Sequence, residues 1–309
     1  MSILYGNVAF FDSGIGGLTV LAECEKRLPN VNFYYYGDNE HAPYGNLSKE
    51  EMRPYVMRAF DAFARLRVDV AVIACNTVTA LFAEELRSRY PFSIVGAEPA
   101  IRVGAKVGGN IYVLTTRATY ESARFRSLCV NVSQEYPQSR IKAFACDGLA
   151  GEIERQVGKN GFKYAHLLPK GAPNAVVLGC THYIYIESYI HNYYKCPVFH
   201  GNQGIADRLF SLMAQLNDKG LGFSPTNESA STKNRDKKPL LPIFTQNSSP
   251  KIKICKGKKL KVYKANKCSF SKLKKAWKYK GKRQIHAVRF LGKSGDKNLK
   301  IYERMFAFL

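Results

Sequence analysis

No run of about 18 uninterrupted apolar residues occurs in this chain, so the sequence predicts no membrane-spanning helix. The opening MSILYGNVAFFDSG has no basic stretch ahead of an apolar core; it reads straight into a strand, and a soluble, cytoplasmic protein is the expectation. None of the eight cysteines has a C-x-x-C partner, which argues against a zinc framework and, without an export signal, against structural disulfides. Acidic residues are scarce, 24 against 47 Lys and Arg, for a net charge of +23. The scarcity is local. Residues 233–309 hold 24 of the basic residues and three acids, Asp236, Asp296 and Glu303, while residues 1–232 are near neutrality at +2. Such a tail could attract nucleic acid or an anionic surface, or be a solvated extension without a partner.

What is present is a repeat. Asp69 to Thr77 (DVAVIACNT) and Asn174 to His182 (NAVVLGCTH) are near copies that set Cys75 and Cys180 105 residues apart. Asn7 to Ser13 has a counterpart at Asn110 to Thr116, and Gly96 one at Gly201, at offsets of 103 and 105. Three landmarks at nearly one spacing imply a duplicated β/α unit of about a hundred residues. In each copy an apolar, β-branched run of the kind that forms a buried parallel strand ends in a cysteine, and ligands bind outside the carboxyl ends of such strands. Two lobes related by a pseudo-twofold axis would bring one thiol each to opposite sides of a ligand. Buried packing is the plain alternative for both cysteines. The polar residues that follow them, Asn76, Thr77, Thr181 and His182, favour a site.

Strand-like runs recur at residues 8–11, 32–36, 70–74, 93–95, 111–114, 141–145, 175–178 and 197–199. Helical patterns at 18–28, 49–66, 78–89, 119–130, 183–194 and 204–216 alternate with them. The fold class expected is therefore α/β: two similar lobes, each a mostly parallel sheet flanked by helices, plus a basic C-terminal extension. Residues 1–97 with 205–250 form the first lobe, 98–204 the second, and 251–309 a lysine-rich extension whose order the composition leaves open. Asn227 to Pro239 reads as a linker, and Leu240 to Thr245 as one more strand.

The loop Asp12-Ser13-Gly14-Ile15-Gly16-Gly17 follows the first strand and opens a helix. It lacks the Gly-Lys-Ser/Thr ending of a phosphate loop and suits a small carboxylate. Asp12 there would handle an ammonium or assist proton transfer. Pro43 and Tyr44 could form a rigid wall, and Thr116 and Thr119 could donate to a carboxylate. A cysteine acts as a base only as thiolate, so each needs help. Asp12 stands on a strand that can neighbour that of Cys75, and His182 is two residues from Cys180. Cys75, Cys180 and His182 also contain zinc-binding atoms, but their spacing does not match a zinc site, and no metal is expected.

Four motifs, FDSGIGGLTV (Phe11 to Val20), GD followed by PYG (Gly37 to Gly45), ACNT (Ala74 to Thr77) and GCTH (Gly179 to His182), resemble the signature set of bacterial glutamate racemases, over roughly residues 5–217. The resemblance implies a cofactor-independent interconversion of L- and D-glutamate that supplies peptidoglycan synthesis, in a homodimer. Cys75 and Cys180 would be its two bases and Asp12 and His182 their assistants. Ser13, Tyr44, Gly45, Asn76, Thr77, Thr119 and Thr181 would hold the amino and carboxylate groups, and Glu154 aligns with an acidic residue of the family. Three features depart from the pattern: Tyr183-Ile184-Tyr185 replaces an aromatic-Pro-Leu stretch, Cys146-Asp147-Gly148 stands where members have Cys-Pro-Leu and loosens the alignment around Glu154, and Phe244 to Ser249 only loosely matches the Thr-Ser-Gly strand near which members end. A racemase of another acidic amino acid, or a nucleic-acid-associated or regulatory protein using the basic tail, are the competing readings.

Overall fold

The computed structural model describes residues 4–156, 163–219, 290–292 and 296–298, together with the backbone of 252–256, 259–263 and 288–289. The first lobe is built on four parallel strands, β1 (Gly6–Asp12), β2 (Val31–Gly37), β3 (Val70–Ile73) and β4 (Ser93–Gly96). The second has β5 (Gly109–Thr115), β6 (Ser139–Ala145), β7 (Ala175–Gly179) and β8 (Val198–His200), also parallel. In spatial order the first lobe runs β2-β1-β3-β4 and the second β6-β5-β7-β8. The same order with a constant shift of four strands is what the repeated sequence predicts. The eight strands expected between residues 8 and 199 all form.

Both faces of the first sheet are covered, and the strands show it. In β1, Val8 and Phe10 face a core shared with α1 (Leu18–Arg27) and α9 (Asn202–Asp218). Ala9 and Phe11 face α2 (Lys49–Arg65) and α3 (Asn76–Arg89), where Phe60, Phe63 and Phe82 lie fully buried. Strands buried on both sides need continuous apolar runs, and that is how β1 and β3 read. In the second lobe, Val176 and Leu178 of β7 pack towards α7 (Leu149–Gln156) and α8 (Glu187–Tyr194). Ala175 and Val177 pack towards α4 (Ile101–Ala105) and α6 (Ala123–Glu135).

Two expected helices differ in detail. The run 119–130 is divided into α5 (Arg117–Glu121) and α6 at Ser122, whose hydroxyl accepts the Phe125 N–H and so caps a new helix. The run 183–194 begins as a 3-10 turn, Thr181–Ile186, before α8. The expected strand at 240–245 and the residues 244–249 lie outside the described residues. The tail nevertheless adds a strand to the first sheet: β11 (Val288–Leu291) pairs in parallel with β2, from Val288 beside Phe33 to Leu291 beside Tyr36. Part of 251–309, set apart as an extension in the sequence, is thus an integral edge of the first lobe. The Lys-apolar alternation near 251–262 becomes an antiparallel pair, β9 (Ile252–Lys256) with β10 (Lys259–Tyr263). Among the described residues no helix is long and apolar enough to cross a membrane.

Phe60→Ala is expected to lower unfolding free energy by about 3–5 kcal/mol, since it empties the centre of an aromatic cluster that cannot fully collapse. Phe210→Ala, at an exposed position on α9, should stay within about 0.5 kcal/mol of wild type in the same urea titration.

Candidate active site

The strand orders place a topological switch point in each lobe. Connections leave β1 towards β2 on one side and β3 lies on the other, so the carboxyl ends of β1 and β3 border an open crevice. Asp12 ends β1, and Cys75 follows β3 as the residue before α3. In the second lobe β5 and β7 have the same relation; Thr116 follows the one and Cys180 the other. The duplication therefore delivers both cysteines to equivalent points. The sulfur-bearing residues are buried, at 5% exposure for Cys75 and 7% for Cys180. The six cysteines whose side chains are described are free thiols.

Around Cys75 the environment is dry. Its Sγ lies 3.6 Å from Ser13 Oγ. Burial pushes the thiol up to about 12, and the nearby Asp12 and Cys180 add to the rise. The Val78 N–H in the first turn of α3 and the Ser13 hydroxyl pull the other way. Asp12 is wholly buried, and burial raises its carboxyl above the usual range despite the charge of His182 and hydrogen bonds from Gly14 N–H and Thr181. The Gly14 N–H reaches Asp12 Oδ1 at 2.9 Å, and Thr181 Oγ1 donates to Oδ2 at 3.1 Å. This last bond crosses from one lobe to the other.

Cys180 has a different neighbour. Its Sγ is 3.8 Å from His182 Nδ1, and His182 Nε2 is 2.8 Å from Glu154 Oε2. Burial alone would lower the imidazole, but its bonds to Cys180 and Glu154 outweigh that and carry it well above its ordinary value. Burial likewise would raise Glu154; the His182 hydrogen bond and charge, with Asn39 and Lys297, hold it instead at about 2. Glu154, expected among the substrate-holding groups, has both oxygens engaged by the protein. Oε1 accepts from Asn39 Nδ2 at 2.6 Å and Lys297 Nζ at 3.1 Å, and Oε2 also accepts the Ile15 N–H at 3.2 Å. It stands behind His182, as the ring's partner.

The threonines form one cluster across the lobe boundary. Thr77 Oγ1 lies 2.9 Å from Thr116 Oγ1 and 3.3 Å from Thr119 Oγ1, and Thr116 and Thr119 are 3.0 Å apart. Thr116 also caps α5. Asn76, beside Cys75, shares the lining of a 10 Å³ cavity with Cys180 and Thr181. Pro43 follows a cis peptide, and Tyr44, fully buried, spends its hydroxyl on Asp38 at 2.7 Å. Gly45 and Gly16 let the lobes approach: a Cβ on Gly45 would stand 2.6 Å from Thr116 Cβ, and one on Gly16 2.7 Å from Thr181 Cβ. The structure thus brings Asp12, Ser13, Cys75, Cys180, Thr181, His182 and Glu154 into one connected group, with the Thr77, Thr116 and Thr119 hydroxyls beside it.

Several participants carried little sequence signal. Asn39 lies within the DNEHAPYG loop, whose Pro and Tyr drew attention instead. Tyr185, where the family pattern was broken, donates to Ile15 O at 2.7 Å and so fastens the 3-10 turn to the glycine loop. Lys297 lies in a lysine-rich tail where no single lysine is distinguished by its neighbours.

The site thus presents two thiols on pseudo-equivalent α/β lobes, one of them backed by an imidazole–carboxylate pair, and the class of protein that carries it is an isomerase, a racemase. Comparison with known proteins agrees. The chain belongs to the Asp/Glu/Hydantoin racemase family, whose profile matches residues 20–209. Among its relatives, the glutamate racemase of Clostridium botulinum (strain Okra / Type B1) is 34% identical over 220 residues, covering 68% of this chain and 84% of that protein. Escherichia coli glutamate racemase, solved with L-glutamate and the activator UDP-MurNAc-ala, superposes with a TM-score of 0.61 at 26% identity, over 68% of this chain and 83% of that one. Glutamate racemase from Campylobacter jejuni subsp. jejuni shares the fold over 98% of this chain and 99% of its own, with a TM-score of 0.62 at 19% identity.

Because Glu154 is held below its ordinary value of 4.5, its ionised form favours the folded state above about pH 4.5, and that contribution is lost as pH falls towards about 2. The stability gap between wild type and Glu154→Gln should be widest between about pH 5 and pH 6.5, where Glu154 and His182 are both charged, and should narrow steadily to pH 2, in urea melts taken at each pH. Above that window the His182 contribution falls away as the imidazole loses its proton.

Proposed function

We propose that this chain interconverts L- and D-glutamate by a two-base mechanism in which Cys75 and Cys180 act from opposite faces of the α-carbon, and that it supplies D-glutamate for peptidoglycan synthesis. The observation that carries the reading is the paired placement of the two thiols at equivalent switch points of duplicated lobes. The substrate follows from the relatives, which are glutamate racemases at 34% identity.

In each turnover one cysteine is thiolate and the other thiol. The thiolate takes the α-proton; the electron pair left on carbon delocalises into the substrate carboxylate; the opposite thiol returns a proton to the other face. The two sulfurs end with their protonation exchanged. A dry site makes ionisation of Cys75 costly, and the same dryness makes its thiolate a stronger base towards carbon. His182, protonated and held by Glu154, is placed to exchange a proton with Cys180. Asp12 is the group beside Cys75 that can attract the substrate ammonium or help its proton move. The hydroxyls of Thr77 and Thr119 and the amide of Asn76 are the donors available where charge grows on the carboxylate, each worth about 2.7–4 kcal/mol in comparable preorganised sites; the Thr181 hydroxyl is already given to Asp12.

Incubation of the purified protein with D-glutamate in deuterium oxide, without added cofactor, should show loss of optical rotation together with deuterium at the α-carbon. Cys75→Ala and Cys180→Ala should each lower racemisation by at least about 10³-fold while circular dichroism stays native, because one face then lacks its acid or base. Absence of exchange by folded wild-type protein would refute the reaction.

A further inference from the structure

Glu154 is 8% exposed, yet a cation from 143 residues away lies on it: Lys297 Nζ is 3.1 Å from Oε1, the oxygen not used by His182. Lys297 lies well beyond the span that the family profile matches. Its delivery is structural rather than incidental. Ahead of it, β11 is registered residue by residue on β2, and Phe290 packs its ring 5.9 Å from that of Tyr35. Behind it, Asn298 is wholly buried and donates from Nδ2 to Gly37 O at 3.2 Å. That approach needs a glycine, since a Cβ on Gly37 would stand 2.6 Å from Asn298 Nδ2. A strand on one side and a buried amide on the other fix the backbone from which Lys297 reaches out.

We propose that Lys297 is a positioning residue for the Cys180 half of the site: its ammonium fixes the Glu154 carboxylate, which holds the His182 ring with Nδ1 turned to the Cys180 sulfur. The proposal rests on the reading of Cys180 and His182 as an acid-base pair. A buried carboxylate is inclined to take up a proton or turn towards water. Either event removes the acceptor that fixes the tautomer and orientation of the imidazole, as outer partners do for ligating histidines. Five other described groups face Glu154: Asn39 from the loop after β2, the Ile15 N–H from the glycine loop, His182 from the 3-10 turn, and Tyr35 and Tyr185, both of which feel its charge. Of these and Lys297, only His182 and Lys297 bring positive charge. His182 is the group to be oriented, so Lys297 is the independent anchor. Its side chain is half exposed, which limits the effect through solvent screening.

The test compares full-length wild type, Lys297→Met and Lys297→Arg in two measurements. In glutamate racemisation, Lys297→Met should lower kcat by about fivefold with KM within twofold, and Lys297→Arg should restore most of the loss, since a guanidinium can serve the same oxygen. With nitrogen-15-labelled histidine, the hydrogen-bonded Nε2 proton of His182 should move upfield and exchange faster in Lys297→Met and return in Lys297→Arg. Lys297 lies at the surface, and thermal unfolding checks that both variants fold. An unchanged kcat and ring-proton signal in Lys297→Met would overturn the proposal, and so would a Lys297→Arg protein as impaired as Lys297→Met, which would mark the lysine as mere packing. Should the chain not racemise glutamate at all, the function above fails, while the ring-proton comparison still decides whether Lys297 fixes His182.

Discussion

The hydrogen bond from Thr181 to the wholly buried carboxyl of Asp12 is the constraint on which the site depends. A carboxyl removed from water must find donors inside the protein, and leaving one of its partners unmade costs about 1–3 kcal/mol. Two donors, the Gly14 and Gly17 N–H groups, are local. The third, Thr181, belongs to the opposite lobe, so the full set of Asp12 partners requires the carboxyl ends of β1 and β7 to meet. Gly16 makes the approach sterically possible, and the threonine cluster repeats the arrangement between Thr77 of one lobe and Thr116 and Thr119 of the other. Lobe alignment and site geometry are one event.

The two cysteines are treated unequally by this frame. Cys75 sees a hydroxyl, a helix N-terminus and a buried acid, and is held as a thiol by dryness. Cys180 sees an imidazole with a carboxylate behind it. Duplication sets the two thiols at equivalent points, and divergence of the flanking residues gives each its own neighbours. The asymmetry is visible in the motifs, since Asn follows Cys75 directly whereas Thr and then His follow Cys180.

The parts of this organisation that local pattern encodes were legible in the sequence. The central strands β1, β3, β5 and β7 announce themselves as apolar runs at repeated spacing, because a strand covered on both faces has few polar positions to blur it, while β2 and β6 are read from alternation. Cys75, Cys180, Asp12 and His182 stand in short motifs at strand ends. What escaped was non-local or turned on one atom. Ser122 divides a continuous helical pattern because its hydroxyl caps the second piece. Glu154 was found, but its orientation towards His182 depends on the packing of α7 against the 3-10 turn. β11 is a short strand with an arginine in it, set in lysine-rich surroundings, and only its pairing with β2 distinguishes it.

That pairing also orders the steps by which the protein is made. Phe33 and its β11 neighbour Val288 are separated by most of the polypeptide, whereas every other strand of the first sheet is present by Gly96. Cys75, Cys180 and Glu154 leave the ribosome well before β11 and Lys297, and pairings so distant in sequence slow folding relative to local ones. The nascent protein thus presents Cys75, Cys180 and Glu154 before the residue that meets Glu154 Oε1 has been made. Completion of that contact waits on the most distant strand of the first sheet.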